Sequence, residues 1–259
     1  MSASAQEGFT GERLHEGDPR FALDLARHRA AYELARQRLA GRRVLDLGCG
    51  SGHGSAHLAG ATRLLVGLDR VPPDPAARAS GARFCRADLA ALPLRPRSFE
   101  AVVSFQVIEH LEDPAPYLNG IGTVLAPGGE AWISTPNRAL SDGVNPYHVR
   151  EYLADELTGL LRAHFAEVEL HGVGAHPVVR EALAARSRRI RAVMRLDPLG
   201  LHRRLPRAWL ETLFAWGALL VRRGAADAEA APPGWRDFPI EAPDESTSLD
   251  WLAVCRGPL

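Results

Sequence analysis

The feature that most constrains this chain is a turn with glycine at every second position. It lies in the run Val44-Leu45-Asp46-Leu47-Gly48-Cys49-Gly50-Ser51-Gly52-His53-Gly54. A short apolar run enters the turn, and a helix-forming stretch, 55–59, leaves it. Glycine carries no Cβ, so the backbone amides of such a turn can approach a ligand closely. The start of the next helix adds N–H donors that have no partner within the helix. The rest of the chain repeats the alternation. Apolar runs at Arg43–Leu47, 64–68, Arg83–Arg86, Phe99–Phe105, 130–134, 168–172 and 249–255 read as seven strands. Helical patterns fill 20–40, 55–59, 109–125 and 151–164, and Pro127-Gly128-Gly129 reads as a turn. Near-continuous apolar strands separated by helices predict an α/β fold, a doubly wound, mainly parallel seven-stranded sheet covered on both faces.

Composition narrows the partners. With 46% hydrophobic and 24% charged residues, the 259-residue chain buries a sizeable core and is not disordered. Its 31 basic residues, all arginine, cancel 31 acids. That balance excludes a nucleic-acid binder working through bulk positive charge. Three cysteines, without CxxC or Cys/His spacing, point to no disulfide framework and no metal site, and to a reducing cytoplasm. The N-terminus lacks a signal-peptide core, and the longest apolar stretch, 208–221, is shorter than the roughly 20 residues of a membrane span. The neutrality hides segregation. Residues 178–223 hold eleven arginines against three acids, and 224–259 hold seven acids against two arginines. The stretch from 172 to 249 is too long for an ordinary strand connection. It reads as an arginine-rich helical cap that packs on the core or on a second subunit of a homodimer. Two other readings are open: contact with an anionic acceptor, and peripheral contact with a membrane through 186–223.

The turn itself discriminates between ligands. The dinucleotide fingerprint G-x-G-x-x-G fails, because its third glycine falls at His53 counted from Gly48 and at Ser55 counted from Gly50. Asp46, at the strand end, would oppose a pyrophosphate but suits a ligand carrying an ammonium and a sulfonium. Asp69 closes the second strand, where a carboxylate can accept bonds from two ribose hydroxyls. Together these favour S-adenosylmethionine over NAD.

With those residues in view, the chain resembles a class I S-adenosylmethionine-dependent methyltransferase of the ubiquinone-biosynthesis-like, methyltransferase type 11 group. The resemblance rests on VLDLGCGSG, on GLD, on RADLAALPLRPRSFEAVVSFQVIEHLEDP and on LAPGGEAWISTPN, with NPYHVREY marking a subgroup. It implies a last strand running antiparallel and a helical cap inserted before it. The implied units are a segment 1–40 covering the cofactor, a cofactor-binding domain at 41–174 and 246–259, and a cap at 175–245. It also implies that Asp46, Gly48, Cys49, Gly50 and Gly52 surround the methionine part, and that Asp69 and Arg70 meet the ribose. Asp88 and Leu89 would border the adenine and Phe105 and Gln106 the floor, while Tyr32 and Arg13 would close over the top. Cys49 reads as a packed residue rather than a nucleophile.

The implied activity is methyl transfer from S-adenosylmethionine, leaving S-adenosylhomocysteine. The expected acceptor is a hydroxyl on a small molecule, sugar or glycan. Carbon or nitrogen methylation within the same fold, and a non-catalytic cofactor-binding partner protein, are the alternatives. A hydroxyl gains from a general base, and histidine titrates nearest neutrality. His148, in the loop beyond the fifth strand, and His110, beside Glu109, are the candidates; His53, Asn137 and Asn145 stand behind them.

Overall fold

The computed structural model describes residues 21–141, 143, 145, 147–194 and 233–259. Residues 1–20, half of the segment 1–40 and including Arg13, and residues 195–232 of the cap, with the apolar stretch 208–221, lie outside the described residues. The order is α1 (Ala22–Arg38), β1 (Arg43–Leu47), α2 (His53–Ala59), β2 (Leu64–Asp69), α3 (Pro75–Arg78), β3 (Arg83–Arg86) and β4 (Phe99–Phe105). Then come α4 (Ala115–Val124), β5 (Leu125–Pro136), α5 (Ala154–Arg162), β6 (Phe165–Val173), α6 (Pro177–Met194), β7 (Ile240–Glu241) and β8 (Asp250–Pro258).

The strands form one sheet in the order β3-β2-β1-β4-β5-β8-β6-β7. β1 to β5 pair in parallel, and β8 runs antiparallel between β5 and β6. The doubly wound sheet is therefore as expected, with eight strands rather than seven. The extra one, β7, is a two-residue edge strand antiparallel to β6, too short to register as an apolar run.

Alternate strand residues point to opposite faces, which builds two cores on one sheet. Leu45, Leu47, Val102, Trp251, Ala253 and Cys255 share one face with α4 and α5. Val44, Ala101, Val103, Phe105, Leu252 and Val254 share the other with α1, α2 and the start of α6. α6 is also tied to α1 by the Arg186–Asp24 ion pair at 3.0 Å. One arginine of the basic stretch is thus spent on packing. Among the described residues, no helix is long and apolar enough to cross a membrane.

Two boundaries differ from the sequence reading, each for a local reason. The pattern at 109–125 splits into a single 3-10 turn, Ile108–His110, and α4. Pro114 disfavours helical backbone at Asp113, whose carboxylate instead accepts the Ala115 amide at 3.0 Å. Pro127-Gly128-Gly129 lies inside β5 rather than between elements. Phe99 pairs with Leu125 and Ala101 with Glu130, so the extra β5 residues bulge out of the ladder.

Strand order reverses between β1 and β4, and ligands of open α/β sheets bind at the carboxyl ends beside such a reversal.

Candidate active site

The glycine turn leaves β1 at that reversal. Gly48, Gly50 and Gly52 have φ of +80°, +54° and +87°, a region that side chains with a Cβ rarely adopt. At Gly52 space adds to the demand, since a Cβ would come within 2.8 Å of Ala77 Cβ. The amides of Gly48 and Cys49 donate to Leu68 O at 2.7 and 3.2 Å, hanging the turn on the end of β2.

Asp69 ends β2 and faces this turn. Its carboxylate accepts the Gly50 amide at 2.8 Å and the Val71 amide at 3.0 Å. It lines a cleft of 420 Å³ with Cys49, Val71, Phe84, Cys85 and Arg86. A Cβ on Gly50 would meet nothing within 4 Å, so the turn is open where Asp69 meets it. A carboxylate beside an open backbone fits the ribose of S-adenosylmethionine. Arg70 is exposed, and its carbonyl holds Arg86 Nε at 2.6 Å. Asp88 is exposed beyond β3 and caps the Ala90 amide at 2.9 Å, while Leu89 packs partly against the core. Burial pushes the Cys49 thiol up, which leaves it protonated and unreactive, as a packed residue should be.

Asp46 is fully buried beneath the turn. It accepts the Ser55 hydroxyl at 2.6 Å and the Tyr32 hydroxyl at 3.1 Å. Burial raises its pKa to about 7, and the two hydroxyls restrain that rise. Tyr32, from α1, lies edge-on to Phe105 at 4.7 Å and against the bare backbone of Gly54. Gly54→Ala should therefore push the Tyr32 ring off Asp46. Overpacking of this kind costs about 1–2 kcal/mol, which a fall in thermal midpoint would reveal; an unchanged midpoint would mean that the ring yields freely. His53 stays neutral, its pKa lowered by burial to about 4. Gln106 follows β4 with φ +58° and bonds Ser134 from both its amide and its side chain, at 2.9 and 3.3 Å. Such a conformation in a non-glycine residue costs on the order of 1 kcal/mol and concentrates at functional sites.

A second group lies beyond β4 and β5. The Glu109 carbonyl accepts the amides of Val149 and Arg150 at 2.8 and 3.1 Å, which brings the loop carrying His148 onto the turn carrying His110. The two imidazoles stand 5.1 Å apart, edge to face. His110 Nδ1 contacts Tyr147 O at 3.0 Å, and His148 Nδ1 contacts Glu151 Oε1 at 2.6 Å. Glu109 is fully buried; Thr135 donates to its Oε2 at 3.0 Å, and its Oε1 has no hydrogen-bond partner. Burial raises this carboxyl to about 8. Asn137 is taken up structurally, its side chain bonding Glu245 O, Ser248 O and the Ala139 amide. Asn145 accepts the Tyr147 amide at 3.0 Å.

Sequence reasoning thus located Asp46, Gly50, Asp69, Phe105, Tyr32, His110 and His148 in two adjoining groups, while Arg70 and Asp88 stand exposed at the rim. It missed Ser55, Glu151 and Thr135. Ser55 follows Asp46 by nine positions but reads as an ordinary helix start. Glu151 carried the one available signal, an acid three residues after a histidine.

A family profile described as "Methyltransferase domain" matches residues 45–133. A protein of Mycolicibacterium smegmatis named "Probable S-adenosylmethionine-dependent methyltransferase" is 42% identical over 182 residues, 64% of this chain and 70% of that one. A "Ubiquinone biosynthesis O-methyltransferase" of Burkholderia vietnamiensis is 30% identical over 165 residues, 54% of this chain and 71% of its own length. The crystal structure of an S-adenosylmethionine-dependent methyltransferase of Thermotoga maritima shares the fold, with TM-score 0.56, 15% identity and 91% of each chain covered.

Proposed function

The chain belongs to the S-adenosylmethionine-dependent methyltransferases, and from that premise we propose that it methylates oxygen, on the hydroxyl of a small molecule, a sugar or a glycan. S-adenosylmethionine supplies, when bound, a methyl group made electrophilic by the positive sulfur. The chain's own work is to bind, align, exclude water and manage one proton. Gly48, Gly50 and Gly52 let the backbone of the turn approach the cofactor closely beside Cys49, and Asp46 is the carboxylate for the ammonium end. Asp69 offers two oxygens to the ribose hydroxyls, with Arg70 at the rim. Asp88 and Leu89 flank the adenine, Phe105 and Gln106 form the floor, and Tyr32 covers it.

The observation that carries the oxygen reading is the pair His148–Glu151, at 2.6 Å. A neutral amine attacks without first losing a proton, whereas a hydroxyl gains about 10²–10⁴-fold from a positioned base. Glu151 holds the proton on Nδ1, which puts the basic lone pair of His148 on Nε2. The O-methyltransferase name of the Burkholderia relative supports the same reading. The surplus of arginine in 178–223 favours an anionic acceptor within that class. Incubation with methyl-labelled cofactor and a panel of sugars, polyols and phenols tests this, with the labelled atom identified by NMR. A methyl ether is expected. Transfer to nitrogen or carbon overturns the proposal, as does cofactor binding with no transfer to any component of a whole-cell extract.

A further inference from the structure

We propose that Asp250 binds a second hydroxyl of the acceptor, beside the one that is methylated, and so selects diols and polyols. β8 runs antiparallel to β5, so its first residue stands where the parallel strands end. Asp250 pairs there with Pro136, the last residue of β5, and with Val173, the last of β6. Alternation puts its side chain on the face of Leu252 and Val254, towards α1. On that side Arg27 of α1 brings Nε to 3.2 Å from Oδ2.

Three observations make this carboxylate a ligand-binding group. First, it is 3% exposed, and its Oδ1 has no hydrogen-bond partner. Leaving a buried acceptor unpaired is costly, and a donor on a ligand removes that cost. Second, Asp250 lies at the site. Burial raises its carboxyl, while Arg27, the Gln106 side chain and His148 stand near enough to restrain the rise. Gln106 is the residue held at φ +58° beneath the cofactor, and His148 is the base of the oxygen reading. Third, the charge is already balanced. Arg27 compensates Asp250, and Asp24, the next acid on α1, has its own ion pair with Arg186. A further cation would be in excess, so a neutral O–H is the donor that fits Oδ1.

This inference rests on the oxygen reading for the place of the reacting hydroxyl. His148 takes the proton of that hydroxyl, whereas Asp250 accepts a hydrogen bond from its neighbour and takes no proton. The second contact fixes the rotation of the acceptor, so that one oxygen of the diol faces the methyl group. A site built to bond a hydroxyl also rejects the analogue that lacks it, because the buried acceptor is then left unpaired.

Matched acceptors test the assignment with methyl-labelled cofactor: catechol against phenol, methyl glucoside against its monodeoxy forms, and 2-aminophenol against aniline. A hydrogen bond to a charged group corresponds to about 10–100-fold, the preference expected in kcat/KM for a diol over its single-hydroxyl partner. Asp250→Ala should bring that ratio close to one. A purely structural role would lower both members of a pair equally and keep the ratio. Asp250→Asn keeps an oxygen for Arg27 and is the second variant if the alanine protein fails to fold; it should reduce the ratio as well. Binding of S-adenosylhomocysteine by each variant confirms its fold, and the wild-type comparison needs no variant. Equal kcat/KM for diol and partner, a preference that survives both substitutions, or a panel in which no diol is methylated overturns the proposal. The two readings fail separately. Methyl ethers formed without regard to the second hydroxyl refute the Asp250 site and leave the oxygen reading. Methylation at the nitrogen of 2-aminophenol, with its preference over aniline lost in Asp250→Ala, refutes the oxygen reading and leaves the Asp250 site.

Discussion

Replacing Asp69 by alanine is expected to weaken S-adenosylhomocysteine binding more than a hundredfold, with little loss of fold stability. The carboxylate now accepts two backbone amides, from Gly50 and Val71, beside the open face of the glycine turn. Two adjacent ribose hydroxyls can be accepted by the same oxygens. Hydrogen bonds to a charged group contribute about 1.5–3 kcal/mol each, so losing two costs about 3 kcal/mol or more. The amides it leaves lie in a partly exposed loop where water replaces the carboxylate, so unfolding should shift by only a few degrees. Asp69→Asn, which keeps one acceptor oxygen and the size, should lose about tenfold. Calorimetry with the ligand, paired with thermal unfolding without it, separates a binding role from a scaffold role. Binding at the wild-type level in Asp69→Ala would remove Asp69 from the site.

The parts of the fold that were legible are those dictated by local physics. β1, β2 and β3 are short runs closed by Gly48, Asp69 and Asp88, β4 is a plain apolar run, and the bounds of all four agree closely with the reading. Where tertiary contacts decide, local signals misled. Pro127-Gly128-Gly129 has turn chemistry, yet pairing of Leu125 with Phe99 carries the strand through it as a bulge. Ile240 and Glu241 count as a strand only because Val173 and Gly172 of β6 offer them an edge. The site divides the same way. Asp46, the glycines and Asp69 were readable because a ligand-binding turn needs them within one strand–turn–helix unit. His110 and His148 were named singly, but their meeting was not readable, because nothing in the sequence shows that the Glu109 carbonyl captures the loop at 149 and 150. Ser55, and the bond from the Tyr32 hydroxyl to Asp46, were hidden for a related reason: these hydroxyls matter only because burial strips Asp46 of water.

That burial makes cofactor affinity depend on pH in a defined direction. Asp46 has its folded pKa raised from 3.8 to about 7, chiefly by desolvation. A carboxyl so raised binds more protons folded than unfolded. Its contribution to stability is therefore most favourable below about pH 4 and is lost progressively as pH rises through 7, by about 4 kcal/mol in all. Ligand binding has the opposite sign. A cationic ammonium beside Asp46 needs the charged form, so affinity for S-adenosylhomocysteine should rise about 30-fold between about pH 5.5 and 8, with proton release on the acid side. The neighbours do not titrate against it. Tyr32 and Cys49 are pushed up by burial and stay neutral, His53 is neutral above about 4, and the nearby Asp69 charge only adds to the rise. The Ser55 and Tyr32 hydroxyls favour the charged form. Ser55→Ala and Tyr32→Phe should consequently move the midpoint to higher pH, weakening binding most near neutrality and least above pH 9. Calorimetry in buffers of differing ionisation heat counts the protons released. Affinity flat across this range, or a midpoint unmoved by Ser55→Ala, would show that the ammonium is met by another group.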